Sequence, residues 1–362
     1  MPRVWDVPVH DSTRVRDARV AAEQAARLAG LDERRAATAA LVATELATNL
    51  LKHAEGGQLL VEAVAPPLAP AGGPPAGPGG AAMVQITAID HGPGMADVSA
   101  ALRDGYSTAA SLGAGLGTCR RVADDFDLHS SRGRGTVALA RIGAAAHRPG
   151  GRSVAPVTAS ARAGGVNIPF AGAEFSGDAW TWVRSGHRST LMLADGLGHG
   201  PEAARASSAA VEVLHASGHL PPAELLRQLD AELRGTRGAA VAVAQLDSAT
   251  GLLGFAGIGN IGARLRTGDG WRPLLSRPGI VGAHRPSTLP EHHEPWGPGC
   301  LLVLHTDGLP SRWVPPSDAC LASLDPAVVA AVTVRDASSS ARPVRDDTAV
   351  AVLAPTPPDR TP

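Results

Sequence analysis

Two stretches of this 362-residue chain cannot enter a packed core, and their positions decide what the rest can build. Residues 65–80 read APPLAPAGGPPAGPGG, and residues 143–160 are mostly Gly, Ala, Arg and Pro. Neither carries enough apolar side chain to offset the entropy of ordering it. The first is flanked by short apolar runs, 59–64 and 83–89, that predict strands, so it reads as a long loop between neighbouring strands. The second lies near the midpoint. It predicts domains over 1–142 and 163–355, a linker over 143–162 and a loose, disordered Pro-rich tail over 356–362, each domain long enough for its own core.

Thirty-three Lys plus Arg stand against 34 Asp plus Glu, a formal charge of −1 that gives no whole-chain attraction to nucleic acid or to an anionic membrane. Three scattered cysteines (Cys119, Cys300 and Cys320) make neither a disulfide framework nor a zinc module. There is no run of about 18 apolar residues and no signal-like N-terminal stretch. The expectation is a soluble, cytoplasmic protein with no nucleic-acid or membrane partner. Lys52 is the only lysine in an otherwise Arg-based cation set.

The first half predicts helix, helix, strand, loop, strand, helix, strand, strand. Residues 11–13 offer N-caps for a helix over 15–28 closed by Gly30, and Asp32 caps a second helix reaching about Ala54. Residues 127–131 and 136–142, separated by RGRG, predict a hairpin. The second half is richer in strands, over 180–183, 190–194, 239–246, 252–258, 263–266, 301–305 and 348–353, with helices over 201–216, 222–233 and 325–334. Strands grouped with late helices, without regular β-α-β alternation, predict the α+β class in two domains.

On the second helix, Glu45, Asn49, Lys52 and His53 fall at about 0, 40, −20 and 80 degrees when each residue advances about 100 degrees. Ala43, Leu46, Ala47, Leu50 and Leu51 take the opposite arc, leaving a strip of carboxylate, amide and cations. By itself such a strip is an ordinary solvated face. Further along, Asp90-His-Gly-Pro-Gly94 follows an apolar strand, and Gly113-Ala-Gly-Leu-Gly117 opens the next helix. Glycines at a helix mouth let backbone N–H groups approach phosphate oxygens.

The words ATELATNLLKHA (43–54), DHGPG (90–94), GAGLG (113–117) and Arg134-Gly135-Thr136 together resemble the GHKL (Bergerat) ATP-binding α/β sandwich. Within it, they resemble the small serine kinases of the RsbT and RsbW type. The resemblance implies Asn49 as the Mg²⁺ ligand and Asp90 as acceptor of the adenine amino group. It implies Gly92 and Gly94 at the base and lid, Gly113, Gly115 and Gly117 around the phosphates, Thr136 beside the adenine, and Glu45 as general base. A carboxylate one turn from a magnesium-binding amide suits proton removal from an incoming hydroxyl. Lys52 would steady phosphate charge or make an edge ion pair. His53 and His91 read as packing or lid residues.

The second half carries four acidic words, each at a predicted strand end: Ser176-Gly-Asp178, Ala194-Asp-Gly196, His305-Thr-Asp-Gly308 and Arg345-Asp-Asp-Thr348. Singly, Asp-Gly is a turn. Converged, carboxylates about 5 Å apart repel by about 3 kcal/mol each pair at an effective dielectric near 20, and such a cluster needs cations. All-oxygen donors select Mn²⁺ or Mg²⁺, and two such ions can supply a nucleophilic water for in-line attack on phosphorus.

AEFSGDAW (173–180), LADGLGHGPEAA (193–204), LHTDGL (304–309) and RDDTAVAVL (345–353) resemble the metal-dependent serine/threonine phosphatases of the SpoIIE and RsbX branch, an αββα sandwich. The resemblance implies Asp178, Asp195, Asp307 and Asp346 as metal ligands, with the Gly196 carbonyl completing the set and Asp347 nearby. Asp195 and Asp307 are the acids expected to matter most for turnover. His199 is expected to shape its turn. Thr181 stands where many relatives have a second acid, and His215 and His219 at i, i+4 spacing are a weak zinc pair because Gly218 and Pro221 end the helix. The two resemblances imply a bifunctional kinase and phosphatase using ATP, Mg²⁺ and Mn²⁺. Its expected target is a STAS-domain phosphoprotein antagonist in a sigma-factor, stress or stressosome-like pathway. The alternative is an ATP-binding half that only sequesters a partner.

Overall fold

The computed structural model describes residues 3–64, 82–102, 115–144, 161–268, 270–338, 344 and 346–356. The predicted loop over 65–80, nearly all of the linker, Gly113 and most of the tail lie outside them.

The N-terminal half begins with a strand that the sequence reading missed, β1 (Val4–Val9), followed by α1 (Ser12–Leu28) and α2 (Glu33–Ala54). Asp11 and Asp32 cap these helices, each carboxylate accepting a backbone N–H of the first turn. Strands β2 (Gly57–Val64) and β3 (Met83–Ile89) then pair antiparallel, with Val64 opposite Met83, so the Pro/Gly stretch does join neighbouring strands. Short helices α3 (Val98–Ala101) and α4 (Leu116–Val122) precede the hairpin β4 (Asp125–Ser131) and β5 (Gly135–Ile142). The sheet order is β1-β2-β3-β5-β4. Alternate residues of its central strands face opposite ways: Leu59, Val61, Val84, Ile86, Ala138 and Ala140 pack under α1 and α2.

The C-terminal half is two five-stranded antiparallel sheets. One runs β13 (His292–Pro295), β10 (Leu252–Ile258), β9 (Ala239–Asp247), β8 (Arg188–Gly196), β7 (Asp178–Ser185). The other runs β12 (Gly270–Leu274), β11 (Gly262–Thr267), β14 (Leu301–His305), β15 (Thr348–Pro355), β6 (Ala161–Ile168). Strands β6, β12 and β13 were not anticipated; β6 starts two residues inside the expected linker. The sheets face each other over a core that includes Trp182, Leu191, Phe255, Leu302 and Leu353. Helices α5 (Pro201–Ser217) and α6 (Pro222–Glu232) cover the outer face of the first sheet.

The outer face of the second sheet is covered by α7 (Pro326–Ala337), whose residues from Pro326 to Arg335 are all buried. A single layer of sheet cannot bury a helix on every side. The second cover is the free face of the N-terminal sheet: Leu60, Ile89, Val137 and Leu139 share one cluster with Val166, Val303, Val350 and the α7 valines. The layers therefore run α1/α2, sheet, α7, sheet, sheet, α5/α6, and α7 belongs to both halves.

Polar groups close this junction. Arg141 Nη1 and Nη2 donate to both oxygens of Asp325 at 2.6 and 2.8 Å. Gln85 Nε2 donates to Glu62 Oε1 and to the Gly165 carbonyl, both at 2.9 Å. The Asp325 N–H donates to Asp127 Oδ2 at 2.6 Å. Burial pushes the Glu62 carboxyl up to about 8, against the opposing pull of Gln85 and Arg141. Burial acts on Asp325 in the same sense, but Arg141 outweighs it and holds that carboxyl below its usual range.

Candidate functional site

Two sites form, one in each half. In the first, α2 buries Ala43, Leu46, Ala47 and Leu50 and turns the opposite strip outward, as the periodicity requires. Glu45 and Asn49 are half-buried; Lys52 and His53 are exposed. The Asn49 Nδ2 is buried with no hydrogen-bond partner among the described residues, a costly condition unless a ligand completes the site. Glu45 lies toward α4: the Cys119 thiol on that helix is pushed up to about 12 by burial and by the charge of Glu45.

Asp90, 8% exposed at the end of β3, accepts on one oxygen from the Gly92 N–H at 2.8 Å and the Thr136 N–H at 3.1 Å. Burial raises its pKa. This leaves its second oxygen free to accept, the chemistry an exocyclic amino group requires. Thr136 also shares a hydrogen bond with Ser130 at 2.9 Å, and the Met95 N–H donates to Ser130 at 2.8 Å. Gly135 has φ +91°, and a Cβ there would lie 1.9 Å from the Asp90 carbonyl oxygen, so only glycine lets β5 close on the Asp90 turn. Gly94, also with positive φ, lies against Ser131 and Arg132. Gly115 caps α4 and Gly117 lies in its first turn; Gly113 is outside the described residues. The unpartnered buried Asn49 amide and the second oxygen of Asp90 fit a magnesium nucleotide.

His91 does not stay within its own half: its Nε2 lies 3.0 Å from the Arg335 carbonyl oxygen on α7. Arg335 in turn donates to the Gly135 carbonyl at 3.3 Å, and Arg134 pairs with Asp336 at 2.5 Å. The loop that frames Asp90 is thus bonded to the end of α7.

In the second half, Asp178, Asp195, Asp307, Asp346 and Asp347 line one cavity of about 260 Å³ together with Leu197, Gly198, His199, Ala240 and Asn260. Asp178 opens β7 and Asp195 is the last residue but one of β8, and the register sets them opposite each other. Gly308 brings the other two segments together: a Cβ there would be 2.3 Å from the Asp347 carbonyl oxygen, so only a bare backbone permits the approach. Gly196, buried between Asp195 and Leu197, does not itself line the cavity. The acids are arranged around a space without closing on it: among the described residues no three are gathered tightly enough to hold an ion as they stand.

Burial and the neighbouring Asp195 raise Asp178 well above the usual carboxylate range. Asp195 is pushed up to about 7 by burial and by Asp307, Asp346 and Asp347. Such mutual repulsion among oxygen donors fits divalent cations such as Mn²⁺ or Mg²⁺.

Thr306 and Asn260 were not read from the sequence as supporting residues, and Asp347 was read only as lying near the ligands. Thr306, fully buried, donates to Asp178 Oδ2 at 2.7 Å and accepts the Ala349 N–H at 2.9 Å. Asn260 donates to Asp307 Oδ2 at 2.8 Å. Asp347 spends both oxygens on the backbone N–H groups of Phe170 and Gly177, each at 2.7 Å, so it fastens the segment before Asp178. Thr306 directly precedes Asp307, but Asn260 has no local signal; only the β10–β11 turn brings it near. Thr181 instead bonds the His215 ring at 3.0 Å, which takes that histidine away from any pairing with His219.

These features define a nucleotide-binding domain joined to an acid-lined hydrolase-type domain. Residues 9–142 match the family model of the histidine kinase-like ATPase domain, and residues 185–355 match that of stage II sporulation protein E (SpoIIE). The chain carries a GHKL-like ATPase domain followed by a SpoIIE-type domain. Over 93 residues it is 38% identical to the serine/threonine-protein kinase RsbT of Bacillus subtilis (strain 168), an alignment covering 26% of this chain and 61% of RsbT. A solved chain from work on the bacterial stressosome is 29% identical, with TM-score 0.48, over 54% of this chain and 99% of that one. RsbX in complex with magnesium is 19% identical, with TM-score 0.45, over 54% and 96% respectively. Among the described residues no helix is long and apolar enough to cross a membrane.

Proposed function

We propose that the chain is a bifunctional partner-switching regulator, an ATP-dependent protein serine/threonine kinase in its first domain and a Mn²⁺- or Mg²⁺-dependent phosphoserine/phosphothreonine phosphatase in its second. The observation that carries the reading is the meeting of five aspartates from four separated segments in one cavity. The target we infer is a STAS-domain antagonist in a sigma-factor or stressosome-like pathway, by analogy with RsbT.

In the kinase half, Asp90 would orient the base with its second oxygen, Asn49 would hold Mg²⁺, and Gly113, Gly115 and Gly117 would cradle the phosphates. Lys52 offsets their charge at the exposed edge. Glu45 takes the proton of the acceptor hydroxyl as its oxygen bonds to the γ-phosphorus and ADP leaves.

In the phosphatase half, Asp178, Asp195, Asp307 and Asp346 would hold the divalent ions. When bound, the ions supply Lewis acidity and an activated water. Thr306 and Asn260 fix which oxygens of Asp178 and Asp307 face the cavity, and Asp347 holds the 170–177 segment against it. Water adds to phosphorus, the seryl Oγ–P bond breaks, and the products are the serine hydroxyl and inorganic phosphate.

Both activities running together would cycle ATP to no effect, so partner binding or nucleotide state gates one of them. The contacts supporting this run from the Asp90 loop through Arg134, His91 and Gly135 to Arg335 and Asp336, ten residues before Asp346.

The test uses γ-labelled ATP with STAS partners, and p-nitrophenyl phosphate with Mn²⁺. Wild type transfers label and Glu45→Ala does not; Asp195→Ala or Asp307→Ala loses metal-dependent hydrolysis with the fold intact. Nucleotide bound without label transfer would support a sequestering first domain, and full hydrolysis in either aspartate variant would exclude the phosphatase site.

A further inference from the structure

The cavity has one ionic deficiency that its ions alone do not remedy. Its lining presents five carboxylates, and among the lining residues only His199 can carry a positive charge. A phosphomonoester arrives as a dianion and must pass that rim. A guanidinium beside this lining is that of Arg237, in the loop between α6 and β9. A Cβ on Gly198, which lines the cavity, would lie 3.1 Å from Arg237 Nη1.

The loop holding Arg237 is fixed on both sides. The Leu197 N–H donates to the Gly238 carbonyl at 3.0 Å, tying it to the segment that follows Asp195. Thr236 Oγ donates to the Leu233 carbonyl at 2.7 Å and accepts the Gly238 N–H at 3.0 Å. Gly238 has φ +82° and lies against Ile280 and Val281, where a side chain would not fit. The backbone is therefore rigid while the side chain is exposed. Arg237 has no hydrogen-bond or ion-pair partner among the described residues, unlike Arg205, which pairs with Glu202 on the helix that follows the same cavity loop. An unpaired guanidinium on a fixed backbone beside an acidic cavity has the geometry for bidentate capture of phosphoryl oxygens.

We infer that Arg237 binds the substrate's phosphoryl group at the cavity rim, donating two N–H groups to its non-bridging oxygens and holding the phosphorus toward the aspartate-lined space. The inference rests on the phosphatase reading above. It makes Arg237 a substrate-binding residue with no part in holding the ions.

The experiment compares wild type, Arg237→Ala and Arg237→Lys in the full chain. It follows steady-state hydrolysis of a phosphoserine peptide, inhibition by inorganic phosphate, and calorimetric titration with Mn²⁺. Loss of a charge-assisted hydrogen-bond pair predicts that Arg237→Ala raises KM and the phosphate inhibition constant by roughly 10- to 100-fold, with Arg237→Lys intermediate. Mn²⁺ binding stays at the wild-type value. An active wild type whose Arg237→Ala variant keeps its KM and its phosphate inhibition overturns the assignment of Arg237 alone. Weakened Mn²⁺ binding in Arg237→Ala also overturns it, by placing the residue with the ions. A wild type that neither binds Mn²⁺ nor hydrolyses the peptide overturns the phosphatase reading and this inference with it.

Discussion

Glu62 offers the sharpest test of the way the two halves are joined. It lies on the face of β2 that meets α7, 6% exposed, with Gln85 as its hydrogen-bond donor. Burial pushes its pKa from 4.5 to about 8. Between those values the folded protein keeps a proton that the unfolded chain has released. Stability is therefore fully present below about pH 4.5 and is lost as pH rises through about 8. At about 1.4 kcal/mol for each pH unit between the two values, the loss is on the order of 5 kcal/mol. Glu62→Gln keeps a partner for Gln85 and removes the titration. Urea denaturation followed by far-UV circular dichroism, from pH 5 to pH 8.5, should show the variant close to wild type at the acid end and more stable by several kcal/mol at the alkaline end. The cavity aspartates also titrate, but they contribute equally to both proteins and cancel in the difference. Curves for wild type and variant that run parallel across the range would refute the burial of Glu62 and the sealed junction it implies.

Arg141→Ala should cost about 3–5 kcal/mol, because it leaves the Asp325 carboxylate buried without its bidentate partner; thermal unfolding measures it, and a change under 1 kcal/mol would be inconsistent with the pair. Gly135→Ala places a methyl against the Asp90 carbonyl and forces an alanine to positive φ, so nucleotide affinity should fall by at least about tenfold while Mn²⁺-dependent hydrolysis survives; a fluorescent ATP analogue reports it. Wild-type affinity in that variant would remove Asp90 from the base site.

Much of this arrangement was legible in the sequence because it depends on short-range patterns. The caps at Asp11 and Asp32, the α2 faces and the RGRG hairpin each follow from residues within one turn of one another. The junction did not. The helix over 326–337 reads PAVVAAVTVRDA, apolar on all sides, and a helix with no polar face needs two covers. That signal was present, but which second surface covers it is a long-range fact. On the N-terminal sheet, Glu62, Gln85 and Arg141 on the α7 side look solvent-facing by strand alternation, yet all three are buried. They are matched to Asp325 and Gly165 across the junction, and pairing of that kind leaves no local trace. β1 was missed because its alternation is short and Pro8 interrupts it. At the cavity, the four acidic words marked Asp178, Asp195, Asp307 and Asp346, whereas Asn260 and Arg237 come from turns whose sequence gives no hint of the neighbours that folding supplies.

The most direct measurement is anomalous diffraction from crystals of the full chain grown with Mn²⁺. Two manganese peaks among Asp178, Asp195, Asp307 and Asp346 are predicted. An empty cavity with manganese bound elsewhere, or aspartates turned away from a shared centre, would contradict the account.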